Sequence, residues 1–520
     1  MGSIFYIIGM TLLWGIITLT IVQVVMGNRQ PAKTMAWALV ILFLPLVGII
    51  LYFFFGVSHR RERLISQRSL DQLSKRAMLS FVEQPHLRIP EQHKPLVDLF
   101  VNQSMALPFA DNQTDIMTDG YAFIPSLLRD IAQARHHIHL CMYIIADDPL
   151  GRLVTDALKH KARQGVEVRV IFDDVGCWNL DHRFVEQMRE NGVEVLPFLP
   201  VRFPSFTSKV NYRNHRKIMV IDGKVGYIGG MNIALRYVKG IPLSNRRSSE
   251  TTMPWRDTML RLQGGIVYGL QRAFLIDWYF VDGTLITGHD YYPPLAPTPS
   301  ASAPPSAPAA SSVVGDCQSP LSALSPLSLV RDCQSPPSLL AQVVTSSPTN
   351  TFPEIMQGYV RAIAAAHRYI YIETPYFLPN EPVLFALKTA AVGGVDVRII
   401  CPLHSDSRFT EWASRSYLRE LYEAGAKVYL YQPGFLHSKL MLIDDSLSTC
   451  GSTNVDFRSF ENNFEANVFI YDEATTLRLK HIFLDDQSLS VPLQQLPTRL
   501  RPDFMQRLWE SLTRLLAPLL

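Results

Sequence analysis

The 520-residue sequence predicts an α/β protein: two α/β sandwich repeats behind two membrane-spanning helices. Three observations predict it. A short polar motif occurs twice at identical spacing. Apolar β-type runs alternate with amphipathic helical stretches in the same order around each copy. Two long uncharged segments stand at the N-terminal end.

Those segments come first. Ser3 to Met26 and Met35 to Val57 carry no charged residue, and a bilayer core takes about 20 helical residues. Too little precedes the first, and too little of it is basic, for a secretory signal. The expectation is two spanning helices, at about 3–26 and 35–57, with a re-entrant hairpin as the alternative. Arg29 and Lys33 lie between them and Arg60, Arg61, Arg63 and Arg68 follow. The heavier cluster predicts a cytoplasmic body, a two-pass anchor in the cytoplasmic membrane and an external loop. Residues 59–110 read as a linker.

The first repeat spans 111–290. A helix at 126–131 leads to a strand from Ile138 to Ile145. A helix around Leu153 to Gln164 then leads to the strand of Val166 to Ile171. The second repeat spans 351–520 and runs in parallel: a helix from Ile355 to Ala366, a strand at 369–372, a helix from Val383 to Val392 and a strand at 394–400. Between them, 291–350 is rich in Ser, Pro and Ala and repeats Asp-Cys-Gln-Ser-Pro at 316 and 332. It reads as a disordered insert. In the last segment Phe504, Leu508, Leu512, Leu515, Leu516 and Leu519 form one helical stripe. That stripe fits an amphipathic helix lying on a membrane or one packed on the core.

Composition narrows the function. Net charge is +3, which gives no basic field for nucleic acid. The six cysteines form no C-x-x-C pair, against a disulfide framework or structural zinc. The cluster His136, His137 and His139 opens an apolar run and reads as a partly exposed strand rather than a metal site. No cofactor or metal is expected.

The motif carries the chemistry. His215 and Lys217 are followed by the apolar run 218–221 and Asp222; His437 and Lys439 are followed by 440–443 and Asp444. Gly229-Gly230-Met231-Asn232 and Gly451-Ser452-Thr453-Asn454 stand at matched distances beyond. Two imidazoles suit phosphoryl chemistry: one attacks phosphorus, the other protonates the leaving oxygen. Lys217 and Lys439 would hold the phosphate charge, aided by Asn232, Ser452 and Asn454. Asp222 and Asp444, beyond a buried strand, belong to the motif but suit structural bonds in a turn. Asp257 and Glu465 are candidates to hold the far nitrogen of an imidazole. An inactive scaffold is disfavoured because both copies are intact.

In these motifs the chain resembles the phospholipase D superfamily and, more closely, the bacterial cardiolipin synthases. The resemblance rests also on Thr34 to Trp37, Leu44 to Gly48, Arg213-Asn214, Trp255-Arg256-Asp257, Thr374 to Phe377, Ala413 to Tyr417, Gly434 to Lys439 and Asn463 to Asn467. It implies two phospholipase D-like repeats packed as a pseudo-dimer. It also implies transfer between two phosphatidylglycerols to give cardiolipin and glycerol, with His215 as nucleophile and His437 as acid. The alternative is a membrane-anchored hydrolase of the same superfamily. One departure stands out: Cys141 occupies a first-half position where such enzymes often carry Glu, while the second half keeps Glu373. Membrane phospholipids are the expected partners. The internal duplication removes any need for a dimer to build the site.

Overall fold

The computed structural model describes residues 2–27, 31–56, 87–201, 211–242, 252–294, 339–515 and 517. The basic cluster at 60–68 and most of the Ser/Pro/Ala-rich insert, 295–338, lie outside the described residues.

At the N-terminal end, α1 is one uninterrupted helix, Gly2–Met26, apolar on every side, and its stretch Ile4–Met26 is long and apolar enough to cross a membrane. The second segment corrects the expected helix at 35–57. It is α2 (Pro31–Phe43), then α3 (Pro45–Leu51), then a single wide turn at Tyr52–Gly56. Pro45 opens α3 and ends α2, because its ring displaces an intrahelical bond. The chain then doubles back. The Trp37 and Tyr52 rings lie 5.6 Å apart, whereas fifteen residues of straight helix span about 22 Å. Gly48 permits the return, since a Cβ there would stand 2.7 Å from the Val40 carbonyl oxygen.

The body begins earlier than the expected linker allows. Helix α4 (Lys94–Ser104) buries Leu96, Val97 and Phe100 among second-half residues such as Tyr359 and Phe469. The first half then runs β1 (Pro108–Met117), α5 (Gly120–Gln133), β2 (His137–Met142), α6 (Pro149–Arg163), β3 (Glu167–Asp173), α7 (His182–Glu190), β4 (Glu194–Phe198), β5 (Ile218–Ile221), β6 (Val225–Gly229), β7 (Met259–Gln263) and α8 (Ile266–Asp282). The second runs β8 (Leu339–Ser346), α9 (Glu354–Ala364), β9 (Tyr369–Glu373), α10 (Glu381–Val392), β10 (Asp396–Pro402), α11 (Arg408–Glu423), β11 (Lys427–Tyr431), β12 (Leu440–Ile443), β13 (Leu447–Gly451), β14 (Asn463–Ile470), α12 (Glu473–Ser488) and α13 (Phe504–Leu515).

One sheet joins the halves in the order β4-β3-β2-β5-β6-β7-β1-β8-β14-β13-β12-β9-β10-β11, with the short strand Ser490–Pro492 added beside β11 at the second-half edge. Read outward from the antiparallel β1–β8 seam, each half has the same order. Strand β8 therefore corrects the insert boundary: Leu339–Ser346 is the buried counterpart of β1, not part of a disordered stretch. Helices cover both faces, so the strands read as continuous apolar runs. In β5, Ile218 and Val220 face the cluster under α8, and Met219 and Ile221 face the one under α5 and α6. Fully burying each such side chain contributes about 1.5–3 kcal/mol, which pins the strand and the polar residues at its two ends.

Candidate active site

The halves exchange short parallel pairings at the end of the sheet. Arg213 and Asn214 pair with Asn463 and Phe464, and the His215 amide donates to the Phe464 carbonyl at 2.9 Å. Trp255 and Arg256 pair with Phe435 and Leu436, and the His437 amide donates to the Arg256 carbonyl at 2.7 Å. Each pairing sets a histidine beside an acid from the opposite half. Glu465 lies 3.0 Å from His215 Nδ1, and Asp257 lies 2.6 Å from His437 Nδ1. With Nδ1 so engaged, Nε2 of each ring is left for substrate.

The acids are themselves held. Glu465 accepts from Ser452 Oγ and from Asn463 Nδ2; Asp257 accepts from the Thr258 amide and Trp255 Nε1. Burial opposes their ionisation, but the neighbouring lysines and the hydrogen bonds from the imidazoles, the Thr258 amide and Ser452 outweigh it and hold both carboxyls below the ordinary carboxylate range. Aromatic rings wall the imidazoles: Tyr143 meets His215 edge-on at 4.8 Å, and Trp255 lies 4.9 Å from His437.

Lys217 and Lys439 are fully buried between these groups. Lys217 Nζ donates to the His215 carbonyl at 2.6 Å. Lys439 Nζ donates to the His437 carbonyl and lies 2.9 Å from His437 Nδ1. Desolvation lowers both, Lys217 to about 7 and Lys439 to about 8. Burial likewise depresses His215 to about 4 and His437 to about 3, against the raising effect of their carboxylates. Each imidazole feels the lysine of the other half, so the two motifs form one electrostatic site. Both rings are neutral at pH 7, and an anion between them would favour a proton on one.

Several expected site residues stand elsewhere. Asp222 and Asp444 are at the far ends of β5 and β12. Asp222 accepts from the amides of Arg135, His136 and His137, and Asp444 from those of His367, Arg368 and Tyr369. Both sit at φ 53°, in a turn that the side chain stabilises. They shape the motif's end, as turn residues, and do not reach the imidazoles. Of the phosphate-binding trio, Asn232 and Ser452 bond protein groups, Ser452 beside the site through Glu465, while Asn454 keeps an unpartnered buried Oδ1. Asn232 Oδ1 accepts from the Ile144 amide at 3.0 Å and its Nδ2 donates to Tyr237. Ser452 gives its proton to Glu465, and Asn454 donates to Asp456 at 3.0 Å.

His137 and His139 are buried rather than partly exposed, bridged by Gln271 at 3.0 and 2.7 Å. Among the described residues no group of His, Cys, Asp or Glu could hold a metal. Cys141 is buried 3.8 Å from Asp277, where desolvation pushes its thiol up, so it stays neutral.

Residues 127–253 and 359–487 match the family described as "Cardiolipin synthase, PLD-like domain", and residues 12–56 match "Phospholipase_D-nuclease N-terminal". A cardiolipin synthase of Geobacillus thermodenitrificans is 36% identical over 500 residues, 95% of this chain and 90% of that one. The major cardiolipin synthase of Bacillus subtilis is 34% identical over 514 residues, 97% of each chain. The chain belongs to the cardiolipin synthase family.

In fold, the cardiolipin synthase body is similar to the crystal structure of phosphatidylserine synthase from Haemophilus influenzae, with a TM-score of 0.55 at 14% identity, covering 83% of this chain and 100% of that one. The duplicated motifs of this family member were legible as a pair. Which acid serves which histidine was not, because it depends on strand pairings across more than 170 residues. Tyr143 and Trp255 lining the rings were also missed as site walls; the only hint was Trp255 standing two places before Asp257.

Proposed function

We propose that this chain is a membrane-bound cardiolipin synthase that transfers a phosphatidyl group between two phosphatidylglycerol molecules. What supports the reading most is the crossed pairing: two imidazoles, each backed by a carboxylate from the opposite half, with two buried lysines between them. His215 Nε2 attacks the phosphorus of the first phosphatidylglycerol. The P–O bond to the headgroup glycerol breaks, and His437 gives that glycerol oxygen a proton. The phosphatidyl group is then carried on His215. A hydroxyl of the second phosphatidylglycerol attacks the same phosphorus, His437 takes its proton back, and cardiolipin leaves with His215 free. Lys217 and Lys439 stabilise the charge gathering on the non-bridging oxygens. Glu465 and Asp257 orient the rings and stabilise their charged forms.

The body sits on the cytoplasmic face. Helix α1 crosses the bilayer once, and the doubled-back segment from Pro31 to Gly56 dips into the same leaflet and leaves where it entered. Arg29, Lys33 and the cluster at 60–68 then all lie on the body's side, as the positive-inside rule asks. Two full spans would set Arg29 and Lys33 outside.

Labelled phosphatidylglycerol supplied to membranes holding the intact chain or its His215→Ala form tests the reading. Label moves into cardiolipin, with free glycerol, only with the intact chain. Label in phosphatidic acid would make water the acceptor and overturn it.

A further inference from the structure

Helix α13 is packed inside out. The side turned toward α11 is polar: Glu510 and Thr513 are buried, with Glu510 only 1% exposed. Glu510 accepts from Arg419 at 2.6 Å and from Gln506 at 3.2 Å. Arg514 reaches Glu420 at 2.6 Å and Ser416 at 3.2 Å, with its guanidinium 4.1 Å above the Tyr417 ring. The apolar stripe faces outward instead. Phe504 is 77% exposed, Met505 56%, Trp509 53% and Leu515 77%, with Leu508 and Leu512 exposed between them. An isolated amphipathic helix in water turns the other way, so the burial of this polar face has to be matched by an apolar environment on the opposite side.

Position and charge say what that environment is. Trp509 lies 6.4 Å from Trp412, which lies 6.1 Å from the exposed Phe409 at the start of α11. Just before Phe409, Asp406 accepts from Tyr376 Oη at 2.8 Å. Tyr376 in turn packs 6.5 Å from Phe435, itself 5.7 Å from His437. A chain of contacts through half-buried Trp412 and Tyr376 and buried Phe435 therefore links the exposed stripe to the wall of the second-half histidine. Exposed Arg408, Arg501 and Arg507 flank it. The same chain carries α1, whose apolar surface already fixes the body beside lipid.

We propose that α13 and Phe409 form an interfacial docking face for an anionic lipid bilayer. They lie among the upper acyl chains with the arginines at headgroup level, and so hold the site's mouth where the scissile phosphate lies. The chemical consequence rests on the transferase reading above; the docking itself does not.

The test reads both separately. The full chain is placed in phosphatidylglycerol/phosphatidylcholine vesicles whose acyl chains carry bromine near the headgroup. Trp509 emission is taken as the difference between the intact chain and Trp509→Phe. Quenching of that emission by about half or more is expected. Emission that is unquenched, whether from an indole in water, under a second copy of the chain or under its own residues, overturns the proposal. In parallel, a Leu508→Glu/Leu512→Glu chain, with circular dichroism and α11 packing unchanged, should lose at least about tenfold of its transfer rate on vesicles. It should keep its rate on a monomeric short-chain phosphatidylglycerol. Equal loss on both substrates would mean the stripe serves the fold. Absence of transfer by the intact chain on either substrate would sink the transferase reading and leave the quenching result standing.

Discussion

The two halves place the same chemistry on different supports. In the first, Arg216 from the histidine's own strand pairs with Asp277 on α8, Cys141 lies beside it, and the guanidinium stacks 5.6 Å from the Phe464 ring. In the second, the matching strand position is Ser438. Arg256 comes across from the other half to meet Asp486 on α12 at 2.6 Å, and Glu373 replaces the cysteine. Burial, with Asp486 beside it, raises the Glu373 carboxyl well above the ordinary carboxylate range, which favours its neutral form. Beside each histidine strand, one of the arginines thus meets a buried carboxylate next to a group that favours its neutral form. The carboxylates behind the histidines differ in the same compensating way. A Cβ on Gly230 would meet Asp257 Oδ1 at 2.0 Å, while Ser452 at the matching place bonds the longer Glu465. The lesson is that the arginine–carboxylate pair is preserved across the pseudo-twofold while residue identity is not. Cys141, which looks like a defect in sequence, favours its neutral form just as Glu373 does.

The sharpest way to break the comparison is at the histidines. Alanine at His215 or at His437 should each lower transfer by about 10³-fold or more, since nucleophile and acid act as a unit. Protein quenched rapidly in neutral detergent, because an N–P bond is lost in acid, should retain labelled phosphatidyl group in the intact chain and none in His215→Ala; retention there would reverse the roles of the halves. Next come the crossed acids. Asp257→Asn and Glu465→Gln should each cost about 10²–10⁴-fold in kcat, because an imidazole losing its carboxylate loses its tautomer and much of its charge stabilisation. Asp257→Asn removes an influence that raises the His437 pKa. The alkaline limb of the pH–rate profile should therefore move to lower pH, and an unmoved limb would mean Asp257 serves only the fold.

Smaller effects follow. Asp222→Ala and Asp444→Ala each strand three backbone amides and should cost about 2–4 kcal/mol in denaturant unfolding, with KM little changed. The lysines give a signed pH test. Their folded pKa values, about 7 and about 8, lie below the ordinary lysine value. The unfolded chain then binds more protons above pH 7, so the lysines' contribution to stability rises with pH through about pH 7 to 10. Lys217→Met/Lys439→Met should flatten that rise in a thermal-melt series. The smallest effect is expected at Glu373→Gln. It swaps a group that favours its neutral form for a neutral one and should change transfer less than about threefold at pH 7.

Much of this was legible in sequence because it is local. The motif, its spacing and the strand–helix alternation all sit within short windows. What was hidden is non-local or sits at a boundary. Leu339–Ser346 is apolar enough for a buried strand but follows a Ser/Pro-rich stretch that masks its start. The break at Leu44-Pro45 was signalled by the proline, yet composition alone counted the segment as one span. The α13 stripe was visible, but not that its polar face would be the buried one, because that depends on Arg419 and Glu420 some 90 residues earlier.

The crossed carboxylates also bear on how such a chain is made. A ribosome that has released only the first half has exposed His215, Lys217 and Asp257, but Glu465 does not yet exist and His437 has not been added. At that stage His215 has no carboxylate to orient it. Arming waits until β14 has been synthesised and has closed onto β8. A centre split in this way is complete only once residues far apart in the sequence have both been made and paired.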